Sequence, residues 1–427
     1  FLNIFYQYGM DQAYMRHYGD REKAFSTAYS SVLVTCGLFS LILAAAPGFW
    51  AGLGGIGAER SNLVLYAAAI LFLDGVNVLP FADLRMGHKP YYFAGVRLFS
   101  ITLNVILNIV LITRFHMGIE GVFIANVAAS LFSVIAVPKR FTFTLDREML
   151  SKLLSYALPL LPAGLGAMAV QVIDRPILLW LSGEAAVGIY QANYRLGIFM
   201  VLLVTMFDQA WRPFFLERAD KPESVKVFAR VLTYFVLVLV WLGLALSFFI
   251  PDLVRFRIAG RALIHPDYWP GLKIVPVVLF AYLVNGVYVN FLAPVIIARK
   301  TKVIMLAALA GAAVSVAANF ALIPVMGIFG PPWAVLAAYC VMALTVYFAG
   351  RRFLPVPYEF GRLGLIVITA LVLCAPALAG WFDGGGSWLL YRLAVLAAYP
   401  LCLLALGFFV PEEELKVREL FSRYFSC

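Results

Sequence analysis

Gln171-Val-Ile-Asp174-Arg175-Pro176 lies inside a long apolar run, and the reading of that run decides the fold. A short turn at Ser182-Gly183-Glu184 follows. A second apolar run opens Val187-Gly-Ile-Tyr190-Gln191-Ala-Asn193-Tyr194-Arg195-Leu-Gly197 and closes Phe207-Asp208-Gln209-Ala-Trp211-Arg212-Pro213. Each run has the ~20 residues needed to cross a bilayer as a helix. A charge inside such a run costs about 2.5–3.5 kcal/mol on insertion scales. A chain that keeps several of them is expected to meet something polar within the membrane.

Composition supports this reading for the whole chain. Of 427 residues, 63% are hydrophobic and only 13% charged, where soluble domains hold about a quarter charged residues. The fold class is therefore all-α integral membrane. A net charge of +10 in a polytopic chain reflects orientation rather than nucleic-acid binding. Cys36, Cys340, Cys374, Cys402 and Cys427 have no metal or disulfide spacing, and the His residues are scattered. No nucleophile or phosphate-loop motif is present, so a non-enzymatic role without metal or other cofactor is expected.

Apolar periodicity predicts a partial span, Phe1–Met15, followed by Ala24–Ala46, Leu63–Ala82, Tyr91–Thr113, Ile119–Val137, Leu153–Leu181, Val187–Ala210, Val225–Ile250, Lys273–Ile297, Val303–Ile323, Trp333–Phe348, Phe360–Gly380 and Trp388–Phe409. Phe1–Tyr8 reads as the last turns of a helix, so the parent protein is expected to carry one further helix ahead of it. Most of the 33 basic residues fall in one set of alternate connections and the tail, which puts that side in the cytoplasm. The other set holds only Arg60, Arg114, Arg255, Arg257, Arg261, Lys273 and Arg392.

An internal repeat at a separation of about 200 residues fixes the expected architecture. Asp11-Gln12-Ala13-Tyr14 recurs as Asp208-Gln209-Ala210-Trp211. Asn108-Ile-Val-Leu-Ile112 with Met117-Gly118-Ile119 recurs as Asn319-Phe-Ala-Leu-Ile323 with Met326-Gly327-Ile328. An even number of spans separates equivalents, so the copies share a topology about an axis along the membrane normal. The expected organisation is two six-helix lobes related by a pseudo-twofold, with two extra C-terminal helices. An N-terminal lobe occupies 1–150, a C-terminal lobe 151–350, the extra pair 351–410 and a cytoplasmic tail helix 411–427.

The charges within spans are the candidate site. Asp74 and Arg97 lie at similar depths, roughly 12 and 9 Å from the cytoplasmic end at the helical rise, and are expected to pair. Asp174 and Arg195 are matched in the same way near the outer face. Arg97, Arg175 and Arg195 outnumber Asp74 and Asp174, and arginine's planar fork fits phosphate oxygens two at a time. Arg97, Ser100, Asn104 and Asn108 share one helical face. Asp11, Gln12, Asp208 and Gln209 stand at the cytoplasmic mouth, where sugar hydroxyls can be met. Pro159, Pro162, Gly164 and Gly166 interrupt the span that carries Asp174 and suggest a hinge. The other Tyr and Trp residues are expected at the membrane interfaces.

Taken together, Tyr6-Gln-Tyr8-Gly9-Met-Asp11-Gln12-Ala13, Asp174-Arg175-Pro-Ile-Leu-Leu, the stretch from Val187 to Gly197 and Asp208-Gln-Ala-Trp211-Arg-Pro213 give the chain its likeness to a known superfamily. It resembles the multidrug/oligosaccharidyl-lipid/polysaccharide (MOP) exporters, in particular the polysaccharide-transporter branch of O-antigen-type flippases. The resemblance implies alternating access in the bacterial inner membrane and an undecaprenyl-diphosphate-linked glycan as cargo. It also implies coupling to Na+ or H+, and adds Tyr190 and Asn193 to the candidate binding residues. Expected partners are the lipid-linked oligosaccharide, membrane lipids and other glycan-assembly proteins, with a monomeric chain and no nucleic acid. The lipid II flippases are similar around Gly9–Tyr14. A cation-coupled drug exporter of the same superfamily and a non-transporting scaffold for glycan synthesis are the other readings.

Overall fold

The structure, a computed structural model, describes residues 2–53, 58–87, 89–137, 142–219, 223–258, 261–378 and 386–409. The tail expected as a helix at 411–427 lies outside them. The helices are α1 Leu2–Gln7, α2 Met10–Arg16, α3 Arg21–Ala45, α4 Pro47–Leu53, α5 Ser61–Met86, α6 Pro90–Thr113, α7 Gly118–Ala136, α8 Arg147–Ala157 and α9 Leu160–Val172. They continue as α10 Asp174–Tyr194, α11 Ile198–Glu217, α12 Ser224–Arg255, α13 Val275–Ile297, α14 Thr301–Met326, α15 Gly330–Gly350, α16 Phe360–Leu378 and α17 Gly386–Ala405.

Among the described residues, 10 continuous helical segments are long and apolar enough to cross a membrane. Two of them, Arg147–Glu217 and Thr301–Gly350, each hold two spans in series, interrupted at Gly183 and Gly327, where φ is +79° and +56°. This gives the full spans that the sequence predicts. The all-α expectation holds apart from a two-stranded hairpin, β1 Arg257–Ile258 with β2 Arg261–Ala262, in the connection after α12.

Contacts divide the chain into two compact units. The first is Phe1–Met168 with Arg299–Leu309. Here α3 packs on α5, α5 on α7, and α6 on α7. The expected partial span Phe1–Met15 is two helices, α1 and α2. The break is at Tyr8 and Gly9, whose φ angles are +32° and +75°. A Cβ on Gly9 would stand 2.8 Å from Leu160 Cβ, so only glycine allows both this turn and this approach. Asp146 caps α8 by accepting from the Met149 N–H at 2.8 Å. That bond and Lys23 at 3.1 Å hold its carboxyl below the ordinary carboxylate range. Pro159 follows the end of α8, because a proline cannot continue the hydrogen-bond ladder.

The second unit is Ala169–Ala298 with Ala310–Cys427. Its centre is α13, apolar on every side and packed against α15, α12 and α11. Most residues of α13 are buried, whereas Val96 alone is buried in α6, which marks α13 as core and α6 as periphery. The extra helices α16 and α17 pack on α12. Arg392, placed with the outer connections by the sequence reading, is instead buried within α17. It pairs with Asp252, donates to the Phe248 carbonyl at 2.7 Å, and lies over the Trp388 ring at 5.2 Å.

The internal repeat is visible in local geometry. Asn108 donates to the Asn104 carbonyl at 2.9 Å, and its counterpart Asn319 donates to the Ser315 carbonyl at 2.8 Å. Gly118 and Gly327 share the same φ of +56°. Equivalent residues thus do equivalent backbone work in each unit.

Candidate functional site

Pro176 has no N–H to give Val172, so the ladder breaks and α10 begins afresh at Asp174. The carboxylate then sits at a helix N-terminus, where the macrodipole favours negative charge. Asp174 and Tyr190 are 16 residues apart, a separation of ~24 Å along an unbroken helix. Yet the Tyr190 hydroxyl donates to Asp174 Oδ2. The chain must therefore reverse between them, and Gly183, with φ +79° and ψ 179°, is where it does so.

Asp174 is fully buried, and Arg175 Nη1 donates to its Oδ1 at 2.8 Å. Arg175 also donates to the Gln171 carbonyl, and its guanidinium lies 4.6 Å from the centre of the Tyr194 ring. The Arg175 side chain keeps 23% of its surface exposed while its carboxylate partner keeps none. Tyr190 and Tyr194 are four residues apart on one helical face, which lets both rings bracket the guanidinium. The Tyr194 hydroxyl shares a 2.6 Å hydrogen bond with the Tyr282 hydroxyl, and the Tyr282 and Tyr339 rings meet with their centroids 6.3 Å apart. Tyr282 and Tyr339 belong to the interior, not to the interface belt that the sequence suggests for them. Asn193 donates to the Ile189 carbonyl at 2.9 Å and to the Tyr268 carbonyl at 2.8 Å, tying α10 to the 3₁₀ segment Pro266–Ile274.

Both expected ion pairs are corrected. Asp174 pairs with its neighbour Arg175, whereas Arg195 opens a 3₁₀ turn, is exposed, and makes no ion pair among the described residues. Depth alone predicted their meeting, but rotation about the helix axis also decides contact. Asp74 and Arg97 make no ion pair within 4 Å among the described residues either. Asp74 accepts from the Ser130 hydroxyl at 2.7 Å, and Arg97 is exposed with its guanidinium 4.4 Å from the Phe81 ring centre. Their charges still act on each other electrostatically.

The polar face of α6 is real but partly self-satisfied. Ser100 donates to the Ala129 carbonyl of α7 at 3.0 Å, and Asn108 Nδ2 bonds Asn104 Oδ1 at 2.9 Å. Asp11 faces Arg85 at 3.9 Å, and Asp208 accepts from Arg212 at 2.9 Å. Gln12 and Gln209 are half-buried beside them. Sequence reasoning missed Asp83, which accepts from the Tyr14 hydroxyl at 2.5 Å and from Arg21 Nη2 at 2.7 Å. The available signal was charge of opposite sign at one depth on neighbouring spans, Asp83 near the end of α5 and Arg21 at the start of α3.

Residues 1–260 match the family described as polysaccharide biosynthesis protein. The chain belongs to that family. No curated protein matches it. Among solved structures it is similar to a MATE transporter in the straight conformation, with TM-score 0.67 and 14% identity, covering 82% of this chain and 84% of that one. It is similar to the Vibrio cholerae MATE transporter VcmN in its bent form, with TM-score 0.64 and 15% identity over 82% and 85% of the two chains. A MOP superfamily transporter from Pyrococcus furiosus, described as having a binding pocket of reversed polarity, gives TM-score 0.62 and 14% identity over 82% and 84%. At these identities the likeness carries the fold. This member of the polysaccharide biosynthesis family has the MOP transporter fold and is a multi-pass membrane protein.

Proposed function

We propose that the protein is a flippase. It moves an undecaprenyl-diphosphate-linked oligosaccharide from the inner to the outer leaflet of the bacterial inner membrane by alternating access. The observation that carries this reading is Arg175, partly exposed yet held by a fully buried carboxylate and a tyrosine ring. Such a guanidinium is pre-oriented, and its free N–H groups suit the paired oxygens of a diphosphate. Arg97 and Arg195, both exposed and without an ion pair among the described residues, add positive charge that a cationic drug would not welcome. The description of the polysaccharide biosynthesis family supports a glycan as cargo. Asn104, Asn108, Asn193 and the mouth residues Asp11, Gln12, Asp208 and Gln209 are the proposed sugar contacts. The chain acts as a monomer beside other glycan-assembly proteins, with two six-helix lobes as the moving bodies and 159–166 as a hinge.

The test is transfer of a labelled lipid-diphosphate oligosaccharide across proteoliposomes holding the full chain. Arg175→Ala should slow transfer at least tenfold, about 1.4 kcal/mol, while inserting normally. Arg175→Lys should remain impaired, because the charge survives but the fork does not. Normal transfer by the Ala variants of Arg97, Arg175 and Arg195, each taken singly, would sink the mechanism. Transfer of a peptidoglycan precursor with none of the oligosaccharide would favour the lipid II reading instead.

A further inference from the structure

The connection from α15 to α16 reads Arg351-Arg352-Phe-Leu-Pro355-Val-Pro357-Tyr358-Glu359. Its two prolines fix φ and remove N–H donors, so neither helix continues through it. Short-range bonds curl it back: the Val356 N–H donates to the Leu354 carbonyl at 3.0 Å and the Tyr358 N–H to the Val356 carbonyl at 2.9 Å. Tyr358 thereby meets Phe291 of α13, ring centroids 4.8 Å apart, and Tyr347 of α15 at 6.1 Å. These three rings line a notch together with Pro294, Gly350 and Arg351. Neither tyrosine hydroxyl has a hydrogen-bond partner among the described residues. Arg351 and its neighbour Arg352 are exposed and make no ion pair among the described residues. Arginine after a helix C-terminus is ordinary, but that does not account for an aromatic notch with two unpartnered hydroxyls beside it. Phe348, against Tyr347 at 5.3 Å, and Leu344, one turn further along α15, are exposed. An apolar strip therefore runs from the notch along the span.

We propose that this notch binds an anionic phospholipid of the cytoplasmic leaflet, the side on which the sequence reading places Arg351 and Arg352. The phosphate takes N–H groups from the two guanidinium groups and O–H groups from Tyr347 and Tyr358, and the ionic partners strengthen those bonds. The acyl chains lie along Phe348 and Leu344. Tyrosine suits this depth, because its ring is apolar and its hydroxyl can stay wet. Basic pockets between spans on the cytoplasmic side are recurrent headgroup sites. Net charge sets the selectivity, since a choline headgroup carries a cation of its own, which two guanidinium groups repel. The site is independent of the cargo and of the flippase reading.

The experiment measures lipid retention by native mass spectrometry, and thermal unfolding, for the purified full chain in detergent with phosphatidylglycerol, phosphatidylcholine or inorganic phosphate. The wild type should retain phosphatidylglycerol over phosphatidylcholine and unfold at higher temperature with it, and inorganic phosphate should leave unfolding unchanged. Arg351→Gln with Arg352→Gln should cut that retention about tenfold or more. Arg60→Gln with Arg114→Gln removes the same charge from exposed positions elsewhere and should leave retention intact. Tyr347→Phe with Tyr358→Phe keeps every ring contact, loses only the hydroxyls, and should weaken retention while folding normally. Equal retention of the two lipids by the wild type, or equal losses in the two arginine double variants, overturns the site. Stabilisation by inorganic phosphate as large as that by phosphatidylglycerol overturns the lipid assignment.

Discussion

Asp174 shows how one residue's environment is set by its neighbours in sequence and by one distant tyrosine. The carboxylate is fully buried, yet it has a helix N-terminus, a guanidinium at 2.8 Å and the Tyr190 hydroxyl. Removing one partner of such a pair leaves the other charge uncompensated, at a cost of about 3 kcal/mol or more. Asp174→Asn should therefore lower the unfolding temperature clearly. Arg175→Gln added to it should recover part of the loss, since two neutral amides can bond each other. Thermal unfolding of the two single variants and the double variant measures the coupling, and additive losses would contradict the pairing. The sequence made Asp174 and Arg175 visible as charges in an apolar run, because their insertion cost does not depend on partners. It misassigned the partner because depth along a helix is one coordinate and azimuth is another. The Tyr194–Tyr282 hydrogen bond at 2.6 Å, joining residues 88 apart, had no sequence signal at all. Tyrosine in a span reads equally as interface or interior until its hydroxyl finds a partner.

At the scale of elements, breaks in the helices carry as much information as the helices themselves. Gly183 was legible as a turn because Ser-Gly-Glu interrupts two apolar runs. The break between α1 and α2 at Gly9 was not, since Tyr6 to Met15 is helical in composition and the left-handed turn depends on a tertiary neighbour, Leu160. Glycines near the proposed hinge differ in what faces them. A Cβ on Gly166 would stand 3.0 Å from the backbone of Ala308, which cannot step aside. A Cβ on Gly164 would meet Ile4 Cγ2 at 3.0 Å, a side-chain methyl rather than backbone, on a helix of only six residues. Alanine gains about 1 kcal/mol of helix propensity over glycine, while overpacking costs about 1–3 kcal/mol. Gly166→Ala should thus destabilise and impair transfer. Gly164→Ala should be near neutral, and Gly95→Ala, with nothing within 4 Å, neutral or stabilising. Equal unfolding temperatures for Gly164→Ala and Gly166→Ala would show that α9 does not need its close approach to the chain at Ala308.

For the whole molecule, the distribution of Lys and Arg between alternate connections is an orientation signal that single residues do not carry. Arg212 and Arg218 lie near the end of α11, Arg351 and Arg352 just after α15, and Arg362 at the start of α16, where Glu359 holds it at 2.8 Å. Basic side chains also occur at the opposite ends of spans, but there Arg255 lies over the Trp269 ring at 5.3 Å and Arg392 is consumed by Asp252. A basic residue engaged with the protein has less charge to offer the translocation machinery or the anionic inner leaflet. Alkaline phosphatase fused after Asp267 should be active, and a fluorescent protein fused at the same joint should be dark. Fusions after Arg352 should give the reverse. Like activity from the two joints would mean that the charge asymmetry does not set the orientation of this chain.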